Sequence, residues 1–210
     1  MKKFTRMFAL VLVLVLSMSL LCGCSDNESI QGTWSAVTPD GEESTREFLE
    51  SLGFYAEEIA LIDLNSLESA HLLQFNADGT YELGYDAQGC KEAMAEFFDG
   101  MMDDLYNGRA SLTSLYGEEV ASVSREEFDL AYAEMFGCAT AEEYRNYFVN
   151  DIVDFNALEA ENETGKYNAA LGKIYFTVDG ASEAETAPYE IKNGKLIVTY
   201  SDMVVEYTKK

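Results

Sequence analysis

The amino-acid sequence predicts an α+β fold, in which an antiparallel β-meander forms a small barrel and is interrupted by a helical insertion. Apolar residues alternate at the strand period over residues 32–37, 72–85 and 174–208. Between these segments, from about residue 88 to residue 160, apolar residues recur at helical spacing. Strands at both ends of a chain with helices between them imply a single sheet that carries an inserted helical segment.

The composition places the chain among acidic globular proteins. Its 210 residues include 14 Lys and Arg against 38 Asp and Glu, which gives a formal net charge of −24. With 48% hydrophobic and 12% aromatic residues it can bury a core, which excludes wholesale disorder. Because a polyanionic partner would be repelled, we expect no nucleic acid among its ligands.

The first 23 residues predict a signal peptide. Lys2, Lys3 and Arg6 precede an uncharged apolar run over residues 7–21, which is shorter than the about 20 residues of a membrane-spanning helix. The following sequence LCGCS resembles the lipobox of bacterial lipoproteins. The resemblance implies cleavage before Cys24, attachment of diacylglycerol to its thiol, and an extracytoplasmic protein lipid-anchored to the cell membrane. An ordinary cleaved signal or an uncleaved anchor is the alternative.

Residues 24–31 then form a lipidated tether, followed by one domain over residues 32–210. The predicted strands and helices of that domain follow the periodicities of the sequence. Strands are expected at residues 32–37, 72–76, 80–85, 174–178, 189–191, 195–200 and 203–208. Helices are expected at residues 44–64, with a restart after Gly53 over residues 56–64, and at residues 88–107. Two more are expected after the capping residues Ser124 and Thr140, and the second of these ends near residue 155.

Four short segments carry a family resemblance. The sequences GTW at residues 32–34, FNADGTY at 75–81, YEIKNGKL at 189–196 and VVEY at 204–207 are similar to the lipocalin-like lipoprotein domains of Gram-positive gut bacteria. This resemblance implies a small up-and-down barrel or half-barrel that can hold an apolar ligand. The simple form of that domain has no counterpart to the helical insertion at about 88–160, whose helices could cap or fill the cup.

Catalytic and metal-binding signatures are missing from the sequence. The single histidine, His71, cannot form a zinc pair, and no nucleophile elbow or nucleotide-binding loop occurs. Asp99, Asp103 and Asp104 could bind a hard cation, although carboxylates on an acidic helix are mostly solvated. We therefore expect no metal, no cofactor and no enzymatic activity.

Two cysteines, Cys90 and Cys138, remain if Cys22 is removed and Cys24 is lipidated. In an exported protein two such thiols suggest a disulfide, and two buried reduced thiols are the alternative.

Aromatic residues on the predicted strands could line a ligand cup, although ordinary core packing explains them as well. They are Trp34, Phe75, Tyr81, Tyr175, Tyr189 and Tyr200.

The leading functional hypothesis is a non-enzymatic, lipid-anchored protein that binds a small apolar ligand or a partner at the envelope or outside the cell. One alternative is a hydrolase of envelope or dietary polymers that uses two carboxylates. Another is a structural interaction module. An apolar pocket with a charged mouth would favour the first, two facing carboxyls the second, and an exposed apolar patch on residues 124–158 the third.

Overall fold

The computed structural model describes residues 26–201 and 203–210, and it contains a closed antiparallel β-barrel of eight strands together with helices. Each strand neighbours the one before and the one after it in sequence, and β8 completes the circle beside β1. The predicted α+β class, with a lipocalin-like meander and a helical insertion, is confirmed. The strands are β1 (Gly32–Pro39), β2 (Glu68–Phe75), β3 (Thr80–Tyr85), β4 (Glu163–Ala170), β5 (Lys173–Val178), β6 (Glu185–Lys192), β7 (Lys195–Tyr200) and β8 (Met203–Lys209).

The helices lie mainly between β3 and β4, as the sequence predicts. Within the described ranges, no helix combines the length and apolar character needed to span a bilayer. The α-helices are α1 (Asn27–Ile30), α2 (Glu42–Ser51), α3 (Ala56–Ile59), α4 (Ala87–Gly108), α5 (Thr113–Tyr116), α6 (Arg125–Met135), α7 (Ala141–Asn150) and α8 (Phe155–Ala160). Two 3₁₀ turns, Arg109–Leu112 and Glu118–Ser122, flank α5.

The chain groups into two compact units. The barrel unit comprises the described residues up to Trp34, together with Leu73–Glu82 and Glu163–Lys210. The helical unit comprises Ser35–Leu72 and Leu83–Asn162.

The register of β4 to β8 places one apolar face inside the barrel unit. Ala169 pairs with Ile174, and Leu196 pairs with Tyr207, and all four side chains are buried. Residues opposite each other in an antiparallel pair share a face, so these pairs build a continuous core from one strand to the next.

The first and last strands of the barrel, β1 and β8, meet in the barrel unit. The Lys210 N–H donates to the carbonyl of Thr33 at 2.9 Å, and the Lys209 ammonium lies 5.2 Å from the centroid of the Trp34 ring. Trp34 is 2% exposed, and its indole N–H donates to the carbonyl of Ile30 in α1 at 2.6 Å. The head and tail strands are therefore neighbours, as their shared strand periodicity predicts.

Gly165 makes room for an aromatic ring in the barrel core. A Cβ atom at this position would lie 2.9 Å from the Tyr81 ring and 2.2 Å from the carbonyl oxygen of Thr177. The Tyr81 hydroxyl reaches past the glycine and donates to Glu163 Oε1 at 2.5 Å. Glycine is thus required here by close approach of a strand and a ring.

The helical unit has its own core, centred on the long helix α4. Its residues Phe97, Met101 and Leu105 are at most 1% exposed, and they belong to one cluster with Phe128 of α6 and Phe148 of α7. The stripe predicted for residues 88–107 is therefore the buried face of α4. The helical segment predicted over residues 44–64 forms two helices, α2 and α3, which are separated at Gly53, whose φ is +92°. The second of them ends at Ile59, before the predicted residue 64.

Strand β4 is absent from the sequence prediction, and β2 begins four residues earlier than predicted. The buried residues of β4 are Gly165, Tyr167 and Ala169, so the strand buries two small residues and one ring. Because it contains no valine, isoleucine or leucine, its alternation gives a weak strand signal.

Candidate functional site

The helical unit contains a cleft between α4, α6 and α7 with a volume of about 420 Å³. Its size falls within the range of ligand pockets. The cleft is lined by Phe98, Asp99, Met102, Asp103, Arg125, Asp129, Ala141, Glu142, Tyr144 and Arg145.

The floor of the cleft is apolar. Phe98, Met102 and Tyr144 are at most 5% exposed, and the rings of Phe98 and Tyr144 meet edge to face with centroids 5.1 Å apart. Burial raises the pKa of Tyr144, which keeps the phenol neutral. The floor therefore offers an uncharged aromatic surface to an apolar group.

The rim of the cleft carries paired charges. Arg145 donates two parallel hydrogen bonds to Asp99, Nε to Oδ1 and Nη2 to Oδ2, both 2.8 Å long. Arg125 bonds both carboxylate oxygens of Asp129 through Nε at 2.7 and 2.8 Å, and its Nη1 bonds Asp103. The two parallel bonds of Arg145, and the bonds of Arg125 to two different carboxylates, fix the direction of each guanidinium at the mouth.

Local sequence signals set the positions of the two shorter helices that form the cleft. Ser124 and Glu127 form a capping box at the start of α6, and the Thr140 hydroxyl accepts from the Glu143 N–H at 3.1 Å at the start of α7. Gly137, with φ +75°, ends α6. Arg125 and Arg145 each lie in the first or second turn after such a cap, so the caps determine where both guanidiniums emerge.

A second polar feature, the Glu58 cluster, lies inside the helical unit. The Glu58 side chain is buried, and its Oε1 accepts from the Tyr116 hydroxyl at 2.7 Å and from the Tyr132 hydroxyl. Its Oε2 accepts from the Tyr55 N–H at 2.8 Å. Burial, and then the hydrogen bond to the carboxylate, raise the pKa of both phenols, so they act as neutral donors.

The aromatic residues that the sequence suggests as the lining of a ligand cup fall into two groups according to their exposure. Trp34, Phe75 and Tyr81 are each 2% exposed and belong to the packed interior of the barrel unit. The Phe75 ring lies 4.6 Å from that of Tyr167, and the Tyr81 ring 4.9 Å from that of Phe176. These rings fill the interior by contacting one another.

The remaining three tyrosines are half-buried. Tyr200 follows the buried residues of β7 on the same face, and its hydroxyl lies 3.2 Å from that of Tyr207. Tyr189 pairs with buried Val198 and shares its face. Tyr175 pairs with exposed Asn168, so it lies on the outer face of the barrel, away from the other five.

His71 lies on β2 in the helical unit, as expected for a strand residue. Its Nε2 is 2.8 Å from the Thr38 hydroxyl, and its ring stacks on that of Tyr85 at 5.5 Å. Burial lowers the pKa of His71, and the nearby Asp40 partly opposes this shift. The imidazole is thereby kept neutral near pH 7.

Cys90 and Cys138 are free thiols in the structure, so the expected disulfide is not formed. The Cys90 side chain is buried in α4 and donates to the carbonyl of Ala70 at 3.3 Å, while Cys138 lies after α6, 4.0 Å from the carbonyl of Phe136. Each sulfur thus has its own backbone acceptor. Cys24, the predicted lipidation site, lies outside the described residues.

The acidic residues considered for a cation bind protein groups instead. Asp99 and Asp103 pair with arginines, and Asp104 Oδ2 accepts from the Asp63 N–H at 3.0 Å. Over the part of the chain that the structure describes, no three metal-ligating side chains are grouped.

Comparisons of this chain with protein-family models, with curated proteins and with solved structures find no match.

Sequence reasoning missed both the cleft and the Glu58 cluster. Arg125 and Asp129 are spaced i, i+4 on a predicted helix, which is a recognisable ion-pair signal. Arg145 and Asp99 are 46 positions apart, and Glu58 and Tyr132 are 74 positions apart. Only the packing of α3, α4, α6 and α7 brings those partners together.

Proposed function

We propose that this protein is a lipid-anchored extracytoplasmic binding protein, not an enzyme, and that the cleft between α4, α6 and α7 holds a small apolar ligand with a polar head. The observation that carries the proposal is the combination of a buried aromatic floor with a charged rim in one cleft. A ligand with an apolar body would exclude water from the floor, while its head would remain at the rim.

The charge of the rim selects the ligand. Four carboxylates, of Asp99, Asp103, Asp129 and Glu142, face two guanidiniums, so the rim has an excess of negative charge. The whole chain, at −24, adds to this field. A positively charged head is therefore favoured over a negatively charged one.

Hydrolysis by paired carboxylates is the competing function, because several acids line the same cleft. Such a reaction needs one carboxyl that keeps its proton near neutral pH. Asp99 is paired with Arg145, and Asp103 and Asp129 with Arg125, so three of the four carboxylates of the cleft are already engaged in ion pairs. The geometry thus supports binding better than acid catalysis.

Three matched ligands test the binding proposal: 4-phenylbutylamine, 4-phenylbutanol and 4-phenylbutyrate, which share an apolar body and differ in the charge of the head. Calorimetry on the mature chain, with Cys24→Ser to prevent lipidation, should give the tightest binding for the amine and the weakest for the acid. Glu142→Gln should weaken amine binding several-fold. Glu126→Gln, which makes the same change on exposed α6 surface outside the cleft, should not. Equal affinities for the three ligands, or no binding, would contradict the proposal.

Lipid anchoring has its own test. Cells that express the full chain and are fed labelled palmitate should incorporate the label into the protein. A Cys24→Ala chain should carry none, whereas Cys22→Ala should still be labelled. A Cys24→Ala chain that incorporates label would contradict the anchoring.

A further inference from the structure

Five exposed lysines gather at one end of the barrel unit, which we call the lysine end. It is the end at which β4 turns into β5, β6 turns into β7, and β8 finishes. Lys195 is paired with Glu206. The lysines are Lys173, Lys192, Lys195, Lys209 and Lys210.

Charge is separated along the barrel axis. The connection from β5 to β6, at the opposite end, carries Asp179 and Glu183, and Glu185 begins β6. Residues 179–185 include no lysine or arginine. The lysine end also carries four acids. They are Asp26 and Glu28 before and in α1, Asp78 in the β2–β3 turn, and Glu206, which is paired with Lys195. In a chain with a net charge of −24, five lysines at one end still make a local surface that is more basic than the rest.

An exposed leucine lies at the same end. Leu171 forms the tip of the turn between β4 and β5, with 91% of its surface exposed and a φ of +55°. Leucine is unfavourable there on both counts, because it leaves an apolar side chain in water and takes a left-handed backbone conformation. Ile191, beside Lys192 on the neighbouring turn, is 43% exposed.

The chain enters the barrel unit at this end. The Asp26 N–H donates to the carbonyl of Ala169 at 2.9 Å, and the Asn27 side-chain oxygen accepts from the Ala169 N–H at 2.5 Å. Ala169 is two residues from Leu171. Cys24 is two residues before Asp26, a separation that an extended chain spans in about 7 Å.

We propose that the lysine end is the membrane-facing surface of the protein, with Leu171 inserted at the bilayer interface and the lysines against anionic lipid head groups. This inference rests on the proposed lipidation of Cys24, which precedes Asp26 by two residues in the sequence. A short tether holds the barrel close to the bilayer, so weak contacts by a leucine and several lysines suffice to orient it. Lysine stems lie along apolar surface while their ammonium groups reach the phosphates.

The test uses the full lipoprotein reconstituted into vesicles that contain brominated lipids, which quench tryptophan within the bilayer. Leu171→Trp adds a reporter at the lysine end. Val204→Trp is the matched control, because Val204 is 64% exposed near the β7–β8 turn at the opposite end. Trp34 is the same buried background in both. We expect at least twofold stronger quenching for Leu171→Trp. Equal quenching in the two variants would overturn the proposal.

The second part of the experiment varies the charge of the lipid head groups and of the lysines. Quenching of Leu171→Trp should be stronger in vesicles with phosphatidylglycerol than in phosphatidylcholine alone, and Lys173→Glu with Lys192→Glu should remove the difference. Lys166→Glu, nearer the other end of β4, should leave it unchanged. Equal quenching of Leu171→Trp in the two kinds of vesicle would contradict the proposed contact between the lysines and anionic head groups. Failure of the lipid anchor itself is distinguished by the palmitate labelling, since these vesicles use only chains that carry the label.

Discussion

Tyr132 donates a hydrogen bond from its hydroxyl to the carboxylate of Glu58, a side chain that is 1% exposed. The bond joins α3 to α6 inside the helical unit. A buried carboxylate is costly unless donors replace its water. The hydroxyls of Tyr116 and Tyr132 and the N–H of Tyr55 supply three, which explains why this acid is found inside the core.

Removing one donor should destabilise the protein. Tyr132→Phe keeps the ring but deletes the hydroxyl, so Glu58 loses a partner in a buried site. We expect the free energy of unfolding to fall by about 1–3 kcal/mol. Urea denaturation measures the change. Tyr147→Phe, at a tyrosine 39% exposed on α7, is the control and should have little effect. Equal stabilities of Tyr132→Phe and the unchanged protein would contradict this account.

His71 provides a pH-dependent prediction with a simple readout, because it is the only histidine. Burial lowers the pKa of His71 below its ordinary value of about 6.5. The unfolded chain therefore binds a proton more readily than the folded chain, so this contribution to stability is complete above pH 6.5 and is lost as the pH falls. Titration of the single imidazole resonance by NMR measures the pKa.

Removing the charge of Asp40 tests the direction in which that charge shifts the pKa of His71. Its charge raises the pKa of the imidazole, so Asp40→Asn should lower that pKa further. Glu126→Gln, a neutralisation on the exposed surface of α6, should leave it unchanged. An upward shift in Asp40→Asn would show that this charge does not act as described.

Two glycines should respond in opposite directions to alanine. Gly165→Ala should destabilise by about 1–3 kcal/mol, because the new Cβ would overlap the Thr177 carbonyl and the Tyr81 ring. Gly100→Ala should stabilise by about 0.5–1 kcal/mol, since Gly100 lies within α4 with open space around its Cβ position. Thermal unfolding of both variants checks the prediction. A Gly165→Ala protein that is as stable as the unchanged protein would contradict the close packing of β4 against the Tyr81 ring.

The thiols should react at different rates. Burial raises the pKa of Cys90, and its sulfur is inside α4, so it should react with a maleimide far more slowly than half-buried Cys138. Mass spectrometry of the labelled mature chain, with Cys24→Ser, measures both rates, and Cys138→Ala should remove the fast phase. Absence of any labelling in the native and denatured states would instead indicate the disulfide expected from the sequence.

Helices and strands could be predicted from the sequence where the apolar periodicity and the cap or turn residues both lie within the segment. The β6–β7 hairpin has alternating strands and the turn residues Asn193 and Gly194, and α6 has the Ser124 capping box. Strand β4 was not predictable because its inward positions include Gly165 and Ala169, whose small size is explained only by the rings that pack beside them. A local sequence pattern determines whether a segment forms a helix or a strand. The residues packed against that segment in the fold determine how large each of its side chains can be.

The candidate site was less predictable than the fold. Asp99 and Arg145 look like separate surface charges on acidic helices until α4 and α7 pack together. Trp34, Phe75 and Tyr81 were correctly placed on strands, but alternation alone does not distinguish a ring that lines a cavity from one that fills it. That distinction depends on distances to Tyr167 and Phe176, which no periodicity contains.

The closure of β8 onto β1 has a consequence for synthesis. Of the eight strands of the barrel, β1 is synthesised first, and its partner β8 is synthesised last. Contacts between residues so distant in sequence form late, since a long loop must close before they are made. The barrel therefore closes only after β8 has been synthesised, and until then β1 keeps one edge without its strand partner.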